Sequence, residues 1–170
     1  MNTPDNYQVL LQKLDDFIRK YYKNQLIRGA LYTITAILAF YLSAALLESF
    51  AWFSTSVRTV LFYTLIASAA VILYKWVAIP LSHLYKIGKI ISHDEAAKII
   101  GAHFSDISDK LLNTLQLKSQ ADKQSDQMDL VYASINQKSS ELRPVSFASA
   151  IDFSKNKKYV RYALIPVLIM

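Results

Sequence analysis

Cysteine is absent from this 170-residue chain. Disulfide frameworks, thiolate metal sites and thiol nucleophiles are therefore excluded. Glycine is scarce: the three residues, at positions 29, 88 and 101, lie too far apart to build a phosphate-cradling loop. No G-x-S-x-G elbow occurs, and no S-x-x-K stands with its companion motifs. Acidic residues are in deficit, 13 against 19 Lys+Arg, which gives a formal charge of +6. The cations are not gathered on one helix face, so nucleic acid is not an expected partner.

Histidine is the remaining source of chemistry, and its pattern is unhelpful to a metal. His83, His93 and His103 recur every ten residues, which on one helix rotates successive side chains by about 80° from register. Asp106 and Asp109 follow His103 at helical spacing. In the first turn of a helix, carboxylates complement the macrodipole, and that role accounts for both. The expectation is a chain with no catalytic residue, no cofactor and no metal.

What the sequence has in abundance is apolar surface: 53% of residues are hydrophobic, concentrated in blocks. Residues 29–47, GALYTITAILAFYLSAALL, carry no charge over 19 positions. About 20 such residues cross a ~30 Å hydrocarbon layer. Glu48 then falls at the exit interface, where Phe50, Trp52 and Phe53 supply an aromatic belt. The segment 54–58, STSVR, turns the chain, and 59–74 is again uncharged. Lys75 can snorkel, and Pro80 is expected to end the second span. Small residues, Ala36, Ala39 and Ser43 on the first span and Ala67, Ser68 and Ala70 on the second, are candidates for close helix packing. The other polar residues of the spans, Tyr32, Thr33, Thr35, Tyr41 and Thr64, also read as packing residues.

Polar, helix-periodic sequence flanks this hairpin on both sides. Thr3 and Pro4 form an N-cap and first-turn signal, after which Tyr7, Leu10, Leu14, Phe17 and Tyr21 recur at spacings of three and four. Lys13, Asp16, Arg19, Lys20 and Lys23 fall mostly opposite, so the stretch predicts an amphipathic helix. Downstream, Ser92 and Glu95 make an S-x-x-E capping box. Ala96, Ile99, Ile100, His103 and Phe104 give that helix an apolar face. Ser105 is the expected cap of the next helix, with Ile107, Leu111, Leu112 and Leu115. A loop is expected over 119–125, a helix over 126–138, and a short amphipathic piece over 147–153 after Pro144. The basic run Lys155, Lys157, Lys158 and Arg161 precedes ALIPVLIM, the expected start of a third span. Eight helical residues rise only about 12 Å, so the chain reads as a piece of a longer protein.

The expected fold is thus an all-α membrane protein in four parts. Residues 1–28 form an amphipathic cytoplasmic helix, 29–80 a transmembrane hairpin, 81–158 a cytoplasmic helical insertion, and 159–170 the start of a third span. Five Lys/Arg in 1–28 and thirteen from 75 to 161, against Arg58 alone in the turn, place the amino terminus in the cytoplasm. Candidate interaction residues are Ile100, Phe104, Leu111, Leu112, Leu115, Tyr7, Leu14 and Phe17. Their occupant is another part of the chain or a protein partner. Candidate lipid-headgroup contacts are Lys155, Lys157, Lys158 and Arg161.

Two stretches, AAKIIGAHFSDISDKLLNTLQL and SINQKSSELRPVSFASAIDFSKNKKY, give the layout a family likeness. The chain resembles the amino-terminal region of a family of large bacterial multi-pass inner-membrane proteins of unknown function. That resemblance implies a third span leading into a large extracytoplasmic region, and it supplies no catalytic residues. The function expected is a non-catalytic membrane-anchoring and scaffolding module of such a protein, and the alternative is a part of a transport or export complex.

Overall fold

The computed structural model describes residues 6–85, 87–88, 90–121 and 128–169. It is all-helical, 89% helix, and no strand occurs among the described residues. The Thr3–Pro4 start signal lies outside them. The helices are α1 (Asn6–Ala51), α2 (Thr55–Leu73), α3 (Ile79–Leu84), α4 (His93–His103), α5 (Ser105–Ala121), α6 (Met128–Leu142) and α7 (Lys157–Ile169). A π-helical turn, Tyr74–Ala78, joins α2 to α3, and 3₁₀ turns occupy Phe147–Ala150 and Phe153–Asn156.

The chain divides into two compact units. One comprises Met1–Tyr21 with Ile90–Asp152, and the other Tyr22–Lys89 with Phe153–Met170. The first, the helical unit, is built around α4, α5, α6 and the amino-terminal turns of α1. Its core contains Leu10, Leu14, Phe17, Ile100, Leu111, Ile135, Leu142 and Phe147, each 2% exposed or less. The capping box starts α4 as its sequence requires: the Ser92 hydroxyl accepts from the Glu95 N–H at 3.1 Å, and the Glu95 carboxylate accepts from the Ser92 N–H at 2.9 Å.

The helix break after His103 comes at Phe104, whose φ of −119° and ψ of 81° leave the helical region. Ser105 is not the cap expected of it. It is the first residue of α5, and its hydroxyl donates to the Asp106 carboxylate at 3.3 Å. Gly101 is what lets α4 and α5 approach, since a Cβ there would stand 2.3 Å from the Ser108 hydroxyl oxygen and 3.2 Å from its Cα. α5 also runs on through 119–121, the first part of the expected loop, and α6 extends to Leu142. Pro144 explains the later stop, because its ring disfavours helix at the residue before it.

On α1, Lys13 and Lys20 are half-buried rather than solvated. Lys13 donates to the Arg143 carbonyl and, at 2.9 Å, to the Val145 carbonyl. Lys20 donates to the Ala148 carbonyl at 2.6 Å. These two side chains, seven residues apart, share one helix face and tie α1 to backbone carbonyls of the segment that follows α6. Asp15 pairs with the His93 ring at 2.9 Å, and the Asn6 N–H reaches the Asn136 side chain at 3.2 Å. Burial, and then the Arg143 charge, holds the Lys13 ammonium below the ordinary lysine pKa of 10.5. Between the folded value and 10.5 the folded chain therefore binds fewer protons than the unfolded one, so this residue's contribution to stability rises with pH across that window. Following the Lys13 Cε signal by NMR is expected to show a midpoint below 10.5; a midpoint at or above it would contradict the burial.

The second unit is a helical hairpin. Two expectations about its ends are corrected. The boundary at 28/29 is only a change of composition: α1 is one uninterrupted helix of 46 residues, about 69 Å long at 1.5 Å per residue. Pro80 does not end the second helix either, because α2, the π turn and α3 run on continuously to Leu84. Proline removes the N–H that the carbonyl four residues back needs, here that of Trp76, and its ring crowds that carbonyl. The wider π turn immediately before Pro80 accommodates both effects.

Candidate membrane interface

The hairpin's two arms are held in antiparallel register by contacts at both ends. Tyr22 meets the His83 ring edge-on at 5.0 Å, Tyr32 meets Trp76 at 5.4 Å, and Glu48 pairs with Arg58 at 2.9 Å. Along α1, Thr33, Ile37, Phe40, Ala44 and Glu48 are buried or half-buried, as are Ile72, Ser68, Leu65 and Leu61 on α2. These recur at helical spacing and define the seam. Of the small residues expected there, Ala36 and Ser68 are half-buried, whereas Ala39, Ser43, Ala67 and Ala70 are exposed. The close approach instead falls at Gly29. A Cβ at that position would lie 1.9 Å from the Trp76 carbonyl oxygen.

Outside the seam the surface is apolar and open. Both α1 and the continuous run Thr55–Leu84 are long and apolar enough to cross a membrane, and only 6% and 0% of their most apolar windows are buried. A core helix of a water-soluble protein ordinarily buries most of that surface. Five hydroxyls on these helices are satisfied within their own helix. Thr33, Thr35, Ser43 and Thr64 each donate to the carbonyl four residues back at 2.8 Å, and Ser68 to Leu65 at 3.0 Å. That arrangement leaves no hydroxyl donor on these residues in need of water.

The turn is tight. Trp52, just past the end of α1, takes a left-handed φ of 44°, the conformation that commonly closes a helix carboxyl end. Phe50 and Trp52 are 84% and 87% exposed, the positions expected of an aromatic belt. Glu48 and Arg58 are the sole charges between positions 29 and 74, and each neutralises the other. That pair was not legible from the sequence, where Arg58 reads as an isolated cation.

Charge is segregated between the two units. The hairpin unit holds ten Lys/Arg and a single acid, Glu48, for a formal +9, whereas the helical unit holds nine against twelve, for −3. Nine of the hairpin unit's ten cations, all but Arg58, lie outside the stretch 29–74. Arg28 is at the amino-terminal edge of the first apolar run and Lys75 at the carboxyl-terminal edge of the second. Between these edges lies a cleft of about 230 Å³ lined by Gln25, Arg28, Gly29, Tyr32, Lys75, Trp76 and Pro80. The Arg28 guanidinium stands 5.8 Å over the Tyr159 ring, which in turn meets Tyr32 at 4.9 Å.

The residues proposed from sequence for interaction fall in the helical unit. Leu14, Phe17, Ile100, Leu111 and Leu115 are buried in its core, and Tyr7, Phe104 and Leu112 are half-buried. The chain itself covers the buried five of these residues. Lys157, Lys158 and Arg161 are exposed along α7, and the side chain of Lys155 lies outside the described residues. The three histidines are spread out: His83 on Tyr22, His93 on Asp15, and His103 on Phe104 at 4.7 Å. No protein-family model, curated protein or solved structure matches the chain.

Proposed function

We propose that this chain is a non-catalytic membrane anchor and scaffold, part of a bacterial inner-membrane protein, whose hairpin spans the bilayer and presents the helical unit in the cytoplasm. The observation that carries this reading is the hairpin's open apolar surface combined with the internally bonded hydroxyls of Thr33, Thr35, Ser43, Thr64 and Ser68 and a neutralised tip. Nine cations at one edge of the apolar runs, against the Glu48–Arg58 pair at the other, support a cytoplasmic amino terminus by the positive-inside rule. A conduit for ions or solutes places charged or imidazole groups at mid-depth, and the apolar stretches 29–47 and 59–74 contain no Asp, Glu, Lys, Arg or His, which favours the anchor over the transport reading.

Reporter fusions test the topology. An alkaline phosphatase domain joined after Ser56 is expected to be active, and one joined after Ser125 inactive, with a cytoplasmic reporter giving the reverse. The opposite pattern would invert the topology, and soluble, cytoplasmic activity from both sites would remove the membrane assignment.

A further inference from the structure

We propose that the cleft lined by Arg28, Lys75, Tyr32 and Trp76 is a binding site for the phosphate of an anionic phospholipid headgroup. The inference rests on the membrane reading above. Its starting point is a charge imbalance within the hairpin unit. The hairpin unit's one carboxylate, Glu48, is paired with Arg58 at the tip. Arg28 and Lys75, which line one cleft at the opposite edge, have no carboxylate partner among the described residues.

The position of the cleft selects the ligand. Arg28 immediately precedes one uncharged run and Lys75 immediately follows the other, so with the hairpin in a bilayer both lie at headgroup depth. Tyr32 and Trp76, 36% and 40% exposed, face the same cleft. Such amphipathic rings settle at the interface, one face against acyl chain and the polar edge toward water. The guanidinium offers paired N–H donors that match a phosphodiester, and the ammonium adds a point charge. Arg28 is already oriented by the Tyr159 ring, which lowers the ordering it must undergo on binding. A zwitterionic headgroup would bring its own cation to a site already carrying two. An anionic lipid such as phosphatidylglycerol brings the missing negative charge alone.

The chain has two tryptophans, Trp52 and Trp76, so a Trp52→Phe background isolates the cleft fluorophore. In vesicles mixing phosphatidylcholine with phosphatidylglycerol, either lipid can be brominated on its acyl chains to quench Trp76. Brominated phosphatidylglycerol is expected to quench Trp76 with a preference of about fivefold per engaged cation over brominated phosphatidylcholine. Arg28→Gln with Lys75→Gln is expected to abolish that preference, whereas Arg28→Lys with Lys75→Arg retains it and Arg19→Gln with Lys98→Gln, at exposed cations of the helical unit, leaves it unchanged. Equal quenching by the two lipids, or a preference that survives the double Gln variant, would overturn the site. Millimolar glycerol phosphate that removes the preference would reassign the cleft to a soluble phosphoester and so overturn the lipid assignment. If neither brominated lipid quenches Trp76, the membrane reading itself fails.

Discussion

Gly29→Ala is expected to destabilise the hairpin by about 1–3 kcal/mol, the range for overpacking a tight contact. The atoms a Cβ would strike are backbone, the Trp76 carbonyl oxygen at 1.9 Å and its carbon at 2.8 Å. No side-chain rotation can relieve that. α1 must move away or the π turn must rearrange, and either shift disturbs the Tyr32–Trp76 contact. Thermal unfolding of the detergent-solubilised chain, read by Trp76 fluorescence in the Trp52→Phe background, checks the loss. Ala39→Leu, on an exposed position outside the seam, is the control expected to change little. Pro80→Ala supplies the mechanistic test, because it restores an N–H to the helix opposite the Trp76 carbonyl and removes the reason for the π turn. Gly29→Ala should therefore cost less in the Pro80→Ala background than alone, with a coupling of about 0.5–3 kcal/mol, the range for residues in contact. Strict additivity would show that the proline and the glycine contact are unrelated.

Phe17→Ala is expected to have the larger effect on the helical unit, about 3–5 kcal/mol, because Phe17 is wholly buried and truncation removes a whole ring from the core. Leu111→Ala should cost about 2–5 kcal/mol for the same reason. Losses of that size are a large share of a small domain's stability, about 5–15 kcal/mol in all. Amide hydrogen exchange of α4, α5 and α6 is the measurement, and protection should fall across all three helices together. Leu112→Ala, half-buried one position away, should cost under about 1.5 kcal/mol and leave protection in place. If Leu112 proved as costly as Leu111, the face that α5 turns inward would be misassigned.

Much of the helical unit was legible from residue order. Ser92 and Glu95 announce the start of α4 because a capping box is a local, reciprocal pair of hydrogen bonds, and the spacing of Leu111 and Leu115 marks the buried stripe of α5. The roles of Lys13 and Lys20 were not legible. Which carbonyls they satisfy depends on where the chain places 143–148, some 130 residues later, and a lysine opposite an apolar stripe reads as solvated. The continuity of the helix past 28/29 and past Pro80 was not legible either. A change of composition such as that at 28/29 does not by itself stop a helix, and a proline can be absorbed by a π turn when a neighbouring glycine makes room for the displaced carbonyl. The small-residue pattern on the spans was likewise too permissive, since exposed Ala39 and Ala67 look the same in sequence as half-buried Ala36.

The central claim, a membrane-spanning hairpin with its tip outside and the helical unit in the cytoplasm, is testable directly because the chain has no cysteine of its own. Single cysteines introduced as Ser56→Cys at the tip, Ile66→Cys mid-helix and Gln116→Cys on the exposed side of α5 can be probed with a membrane-impermeant maleimide on intact spheroplasts. The expected result is rapid labelling at position 56, none at position 66 without detergent, and labelling at position 116 only after the membrane is opened. Labelling at position 66 as fast as at position 56, or at position 116 in intact spheroplasts, would contradict it.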